Sequence, residues 1–161
     1  MLQFYFIIVI IMSLEKDINQ LKFRTEHQKV IINILYTYNW MNERLKVFFE
    51  KEDITQQQFN ILRILRGAVV PISTLQIRQR MLDKMSDTSR IVDRLIVKDL
   101  VKKITCPADK RMVDVTISGK GKKLLEKLDA FELKMDEVAA GLTEADAKAM
   151  NKLLDKMRQS S

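Results

Sequence analysis

The chain has 161 residues, with 28 Lys or Arg, 21 Asp or Glu and one His, so its formal charge is +7. This length fits one domain with at most an appendage, and a hydrophobic content of 47% excludes a disordered chain. One Cys and one His exclude a disulfide framework and a zinc site built from several cysteines, so we expect no metal, no cofactor and a reducing, cytoplasmic setting.

The first twelve residues are uncharged and, apart from Gln3, largely apolar. They are too few to cross a bilayer as a helix, which takes about 20 residues. They also lack the basic start and the small-residue cleavage site of a signal peptide. We favour a start-site miscall with Met12 as the initiator, and an ordered extra element that packs on a neighbour is the alternative. No membrane partner is expected.

Long amphipathic helices are predicted towards both ends of the chain. Apolar residues recur at three- and four-residue steps from Lys29 to Phe49, and again from Leu124 to Val138. Gly141 ends the second run, and a final helix begins after it.

Three short helices follow the first long one. Thr55 is a typical N-cap for a helix that Gly67 ends. Ser73 or Thr74 caps the next helix, and Ser86 opens the third.

The periodicity then changes from helical to extended. Val101 to Cys106 and Met112 to Ile117 are short runs rich in β-branched residues, separated by a polar turn that contains Pro107. They predict a β-hairpin with a basic tip. Two short helices followed by a hairpin are the order of a winged helix-turn-helix, whose second helix enters the major groove of DNA.

The positive charge coincides with this segment. Residues 58–123 carry 15 basic and 6 acidic side chains, a net charge of +9, while the flanks together carry −2. A basic centre between near-neutral ends is typical of a nucleic-acid-binding lobe on an oligomerisation frame. From charge alone, the alternative is a solvated basic face.

The helix predicted to begin at Ser86 carries side chains suited to DNA. Hydroxyl and backbone N–H groups at a helix N-terminus bind phosphate oxygens or base edges, and Arg can bind guanine bidentately. The alternatives are an N-cap role for Ser86 and a solvated face for the arginines. The predicted DNA-binding residues of the two short helices are Thr74, Ser86, Asp87, Thr88, Ser89, Arg90 and Arg94.

The tip of the hairpin indicates DNA binding more specifically than the helix does. An Arg on a β-turn can enter the narrow minor groove, and a carboxylate two residues earlier can hold its guanidinium. We therefore predict that Lys110 and Arg111 bind DNA and that Asp109 orients Arg111. Asp93, on the neighbouring helix, is a second candidate for the orienting role. The alternative is a polar hairpin in which Asp109 only forms the turn.

These segments resemble the multiple-antibiotic-resistance regulator (MarR) family over roughly residues 18 to 158. The resemblance implies a homodimeric winged-helix transcription factor, usually a repressor. It also implies that the outer helices form the dimer and that a small-molecule pocket lies between the lobes. One departure is Asp99, where the family usually has Gly before the first wing strand. The matching segments are residues 73–81, 83–95, 99–101, 107–111 and 115–117, with Gly121.

We therefore expect a mainly α (α+β) fold, in which a winged helix-turn-helix lobe joins N- and C-terminal helices that form a dimerisation frame. The expected partners are double-stranded DNA, a second copy of the chain and, as the resemblance implies, a small-molecule effector. The predicted segments are an apolar extension at 1–17, a dimerisation helix region at 18–54, the DNA-binding lobe at 55–122 and dimerisation helices at 123–161.

The predicted function is a sequence-specific, ligand-responsive repressor that binds a pseudo-palindromic operator as a homodimer. An architectural or protein-interaction module without an effector is the alternative. We do not expect an enzyme, because the chain has no phosphate-binding Gly-rich loop and no nucleophile paired with a second His or Cys.

The sequence points only weakly to a ligand site. An aromatic and Met stripe on the first long helix could line a pocket, although such a stripe is more often core or dimer interface. Cys106 fits a buried strand residue better than a thiol sensor, because no second Cys can resolve its oxidised form. The weak ligand candidates are Tyr36, Tyr38, Trp40 and Met41.

Overall fold

A computed structural model describes residues 13–105, 113–129 and 136–159 of the chain. Residues 1–12, to which the start-site expectation applies, lie outside these ranges. The hairpin tip lies outside them as well, so the predictions for Cys106, Asp109, Lys110 and Arg111 stay predictions.

The described elements follow the predicted order, and the fold is mainly α with a small antiparallel sheet, as expected. A short 3-10 turn at Glu137–Ala139 precedes the last helix. The helices are α1 (Leu14–Asp17), α2 (Glu26–Glu50), α3 (Gln56–Gly67), α4 (Thr74–Arg80), α5 (Thr88–Val97), α6 (Gly119–Asp129) and α7 (Glu144–Arg158), and the strands are β1 (Ile72–Ser73), β2 (Val101–Thr105) and β3 (Val113–Ile117).

The chain divides into two compact units, Met1–Glu43 and Arg44–Ser161. In the first, Glu15 pairs with Lys29, and the hydrogen bond from Lys29 lowers the pKa of the Glu15 carboxyl. The helical part of this unit carries an apolar stripe that is exposed in the single chain. Its exposed members are Val30, Ile31, Leu35, Tyr38 and Met41.

The core lies in the second unit and is built around α3, which contacts α4, α5, α6 and β3. The sheet has the strand order β1-β3-β2, with Ile72 opposite Val115 and Val101 opposite Ile117. β1 is absent from the sequence-based prediction, because two residues are too few to show a period of two. Among the described residues, no helix is both long enough and apolar enough to cross a membrane.

The predicted N-caps of two short helices are confirmed. Thr55 Oγ1 accepts a hydrogen bond from Gln58 N at 3.2 Å, and the Gln58 side chain accepts one in return from Thr55 N. Ser73 forms the same reciprocal pair with Gln76 at the start of α4. These capping boxes satisfy backbone N–H groups that the first turn of a helix leaves without partners.

The prediction that Ser86 opens the recognition helix is wrong. The N-cap of α5 is Asp87, whose Oδ1 accepts a hydrogen bond from Arg90 N at 3.1 Å. Ser86 lies one residue earlier, where its hydroxyl donates to Asp83 O at 2.8 Å and closes the preceding turn. A carboxylate is favoured at the cap because it also interacts with the positive end of the helix dipole.

Asp99 adopts the backbone conformation for which the MarR family usually has Gly. Its φ is +59°, in the left-handed region. Asp99 N donates to Ile96 O at 2.8 Å and Leu100 N donates to Leu95 O at 2.9 Å. This pair of bonds is the Schellman ending of α5. The departure therefore leaves the turn geometry intact, since Asp tolerates this region better than most residues.

Gly121 is required by the packing of α6 against the start of the hairpin. A Cβ at this position would overlap Leu100 O and come within 2.8 Å of Ile117 Cγ1. The N–H of Gly121 donates to Ser118 Oγ at 3.0 Å, and the Ser118 hydroxyl donates to Asp99 O at 2.7 Å. The end of α5 and the start of α6 are thus tied together through one buried serine.

Candidate nucleic-acid interface

The α5 helix presents one face to the core and the other to solvent. Val92 and Leu95 are fully buried, whereas the side chains of Ser89, Arg90 and Arg94 are exposed. A helix of this amphipathic kind is held by its apolar face. The exposed polar face is therefore displayed on a fixed support, as the recognition helix of a winged helix-turn-helix must be.

The cation nearest the start of α5 is available to a ligand. Arg90 has 73% of its side chain exposed, and its Nε lies 3.8 Å from Oδ2 of Asp87, which is itself 63% exposed. An exposed ion pair at this distance contributes little. The guanidinium can therefore exchange this partner for a phosphate oxygen or a base edge at small cost.

Thr88 is buried, unlike the other predicted DNA-binding residues of α5. It is only 4% exposed, and its hydroxyl oxygen is buried without a hydrogen-bond partner among the described residues. Thr88 precedes Val92 by four residues and so lies on the buried face of α5. That spacing is the signal in the sequence for its burial. Thr74 and Ser86 are half-buried.

An ion pair joins the recognition helix to the hairpin. Lys103 Nζ on β2 donates to Asp93 Oδ1 on α5 at 2.9 Å. Sequence reasoning missed this pair, because nothing in the spacing of the two residues brings a strand beside that turn of the helix. Asp93 thus has a partner in the described structure, and its orienting role towards Arg111 stays a prediction.

The turn between α4 and α5 is closed by its own hydrogen bonds. Asp83 Oδ1 accepts from Met85 N at 3.0 Å, and Arg78 Nε donates to Lys84 O at 3.3 Å. The Ser86 hydroxyl also donates a hydrogen bond to Asp83 O. Together these bonds fix the backbone that leads into α5.

The carboxyl end of α5 is held by lysines. Lys98 pairs with Asp53 Oδ2 at 3.0 Å and also donates to the Asp53 backbone oxygen. Lys120 Nζ on α6 donates to Lys98 O at 2.9 Å. A cation and a donor at the last carbonyl groups of a helix also suit its dipole.

Two open clefts flank this anchored end of the helix. One has a volume of about 570 Å³ and is lined in part by Gln58, Arg90, Arg94 and Val97. The other, of about 460 Å³, is lined by lysines of α6 and by Glu52 and Asp53. The predicted ligand residues Tyr36, Tyr38, Trp40 and Met41 line neither cleft.

Comparison with known proteins gives no match to any family model and no match to a curated protein. Solved structures do match. A MarR transcription factor from Planctomyces limnophilus is similar with 28% identity and a TM-score of 0.64, over 86% of this chain and 100% of that chain. A mutant of MarR from E. coli in complex with operator DNA has 22% identity and a TM-score of 0.74, over 91% of this chain and 99% of that chain.

A third match is BpsR from Bordetella bronchiseptica, with 23% identity and a TM-score of 0.71 over 80% of this chain and 91% of that chain. That structure concerns the regulation of BpsR's DNA binding by 6-hydroxynicotinic acid. Together these structures confirm the winged-helix fold and the resemblance found in the sequence.

Proposed function

Since the chain has the fold of MarR-family transcription regulators and its sequence resembles that family at the recognition helix and the wing, we propose that it is a sequence-specific regulator that binds double-stranded DNA. The observation that carries the proposal is the exposed face of α5, with Arg90 and Arg94 on a helix whose opposite face is fixed in the core. The recognition helix enters the major groove, and the hairpin tip with Arg111 reaches the adjacent minor groove.

The regulator acts as a homodimer. An exposed apolar stripe runs from Val30 to Met41 on α2, and Leu35 and Tyr38 are more than half exposed in it. A second apolar set that includes Leu153 lies on α7. An exposed apolar face on a helix is typical of an association surface. A two-fold dimer would place two recognition helices about 34–36 Å apart on a pseudo-palindromic operator.

A small-molecule effector fits the cleft of about 570 Å³ beside α5, a volume in the range of ligand sites. Arg90 and Arg94 contribute both to this cleft and to the exposed face of α5. A ligand that engages either guanidinium would bind the DNA-free state better than the DNA-bound state. It would then release DNA by differential affinity, as a repressor requires. The regulation of BpsR's DNA binding by 6-hydroxynicotinic acid is a precedent for effector control.

The proposal is tested by selecting binding sites from random DNA duplexes with the purified full-length chain. A recovered inverted repeat, with affinity well above that for unrelated DNA at the same salt, is the expected result. Salt-sensitive binding without a consensus would instead support an architectural module. Absence of binding under any salt condition would overturn the proposal.

The dimer is tested by placing a charge in the apolar stripe. Leu35→Glu should shift the protein to a monomer in sedimentation velocity experiments and weaken binding to the selected repeat, because a buried unpaired carboxylate is costly. The matched control is Val69→Glu, in which a fully exposed side chain outside the stripe gains the same charge. Equal sedimentation of both variants and the unmodified chain would contradict the assignment of the stripe.

A further inference from the structure

We propose that Met85 recognises the C5 methyl group of a thymine beside the bases that α5 contacts. The inference rests on the proposed function and adds a specificity-determining residue to it. Met85 precedes the N-cap Asp87 by two residues, and two residues span at most about 7 Å. Its side chain therefore lies next to the end of the helix that enters the groove.

Met85 is an exposed apolar side chain that lies among exposed cations. Its side chain is 90% exposed, and both Lys84 before it and Arg90 on the first turn of α5 are exposed cations. A thioether can neither pair with phosphate nor donate a hydrogen bond to a base. Met85 therefore adds nothing to the electrostatic attraction between the protein and DNA. Its side chain can contribute to binding only through an apolar contact.

The backbone that carries Met85 is already fixed. The Met85 N–H donates to Asp83 Oδ1 at 3.0 Å, and the Ser86 hydroxyl after it donates to Asp83 O at 2.8 Å. Arg78 Nε holds Lys84 O at 3.3 Å. Because the neighbouring residues are tied down before DNA arrives, an interfacial contact by this side chain costs only its own rotamer entropy.

Only one chemical group in the major groove suits such a side chain. The base edges there present hydrogen-bond donors and acceptors, with the C5 methyl of thymine as the single apolar group. The long, polarisable and unbranched Met side chain adapts readily to a small apolar target. A thymine near the edge of each half-site is therefore the base feature that Met85 would read.

The test is a double-mutant cycle between protein and DNA. Each thymine of the selected repeat is replaced in turn by deoxyuridine, which lacks only the methyl group. At one position per half-site, the unmodified chain should bind about 4-fold more weakly, the effect of one buried methyl-sized group. Met85→Ala should bind the thymine duplex more weakly and should show no further loss with deoxyuridine at that position.

Two further variants separate recognition from general effects. Val69→Ala removes another exposed apolar side chain, 100% exposed, outside α5 and outside both clefts, and it should keep the full sensitivity to deoxyuridine. Met85→Leu should also keep most of it. Thermal unfolding of Met85→Ala should match that of the unmodified chain, since the side chain is not in the core.

Each other outcome overturns the inference. If deoxyuridine weakens binding equally for the unmodified chain and for Met85→Ala, or if no thymine is sensitive, Met85 does not read the methyl group while DNA binding itself stands. If no duplex is selected at all, the proposed function fails and the inference fails with it.

Discussion

The backbone oxygen of Leu100 occupies the space that a side chain at Gly121 would need. A Cβ there would also approach Ile117 Cγ1 to 2.8 Å. Neither neighbouring group can move away easily. The oxygen belongs to a backbone that accepts a hydrogen bond from Ser118 N at 3.0 Å, and Ile117 pairs with Val101 in the sheet.

Gly121→Ala should therefore lower the free energy of unfolding by about 3 kcal/mol or more, as expected when a closely packed site is overfilled. Urea unfolding followed by circular dichroism measures this change. Gly119→Ala is the matched control on the same helix, because a Cβ there meets nothing within 4 Å. Its effect should stay within about 1 kcal/mol, and similar losses for the two variants would contradict the close approach.

The left-handed backbone of Asp99 predicts opposite effects for two substitutions. Asp99→Gly should raise the free energy of unfolding by up to about 1 kcal/mol, because Gly adopts a positive φ without steric cost. Asp99→Val should lower it by about 1–2 kcal/mol, because a β-branched residue is strained there. Chemical denaturation of both variants gives the comparison. A stable Val variant would mean that the turn does not need this conformation.

The pair between Arg66 and Asp129 predicts a dependence of stability on pH. Arg66 Nη1 donates to Asp129 Oδ2 at 2.6 Å, and this hydrogen bond lowers the pKa of the Asp129 carboxyl below its usual value of 3.8. The ionised form is thus favoured by folding. The stabilisation that the ionised Asp129 contributes is complete above the pKa of this carboxyl in the unfolded chain. It is lost as the pH falls through the lower pKa of the carboxyl in the folded chain.

Asp129→Asn removes the titrating group. At pH 7 the variant should be less stable by about 0.5 kcal/mol, because the pair is partly exposed to solvent. The difference from the unmodified chain should shrink below about pH 4. Urea unfolding at a series of pH values measures both curves. A difference that is the same at pH 7 and at pH 3 would exclude the ion pair as its source.

Arginine substitutions test how the DNA is held. Arg111→Ala should weaken binding to the selected repeat by about 1–3 kcal/mol if the hairpin tip reads the groove. Arg90→Lys keeps the charge but loses the bidentate geometry. It should bind the repeat more weakly while its affinity for unrelated DNA is retained.

Fluorescence anisotropy at fixed salt measures these affinities, since phosphate contacts depend on salt. Lys152→Ala, an exposed cation on α7, is the control and should leave the affinity unchanged. Unchanged binding by Arg111→Ala would remove the hairpin tip from the interface. An equal loss for Arg90→Lys on the repeat and on unrelated DNA would assign Arg90 to phosphate rather than to base contacts.

Local chemistry in the sequence was enough to predict most of the elements. The apolar periods placed α2 and the hairpin strands, and Thr55 and Ser73 marked helix starts because a hydroxyl followed three residues later by Gln satisfies the first free N–H groups. The error of one residue in the predicted start of α5 also concerns local capping chemistry. Ser86 and Asp87 are both good caps, and the choice between them depended on which turn each side chain closes.

The sequence by itself determined the order of helices and strands and the central position of the positive charge, because both depend on residues close together in the chain. Only the tertiary structure decided that Asp93 pairs with Lys103 and that Gly121 has no room for a side chain. These facts depend on contacts between elements. Side-chain periodicity specifies which residues share a face, but not which neighbour that face will meet.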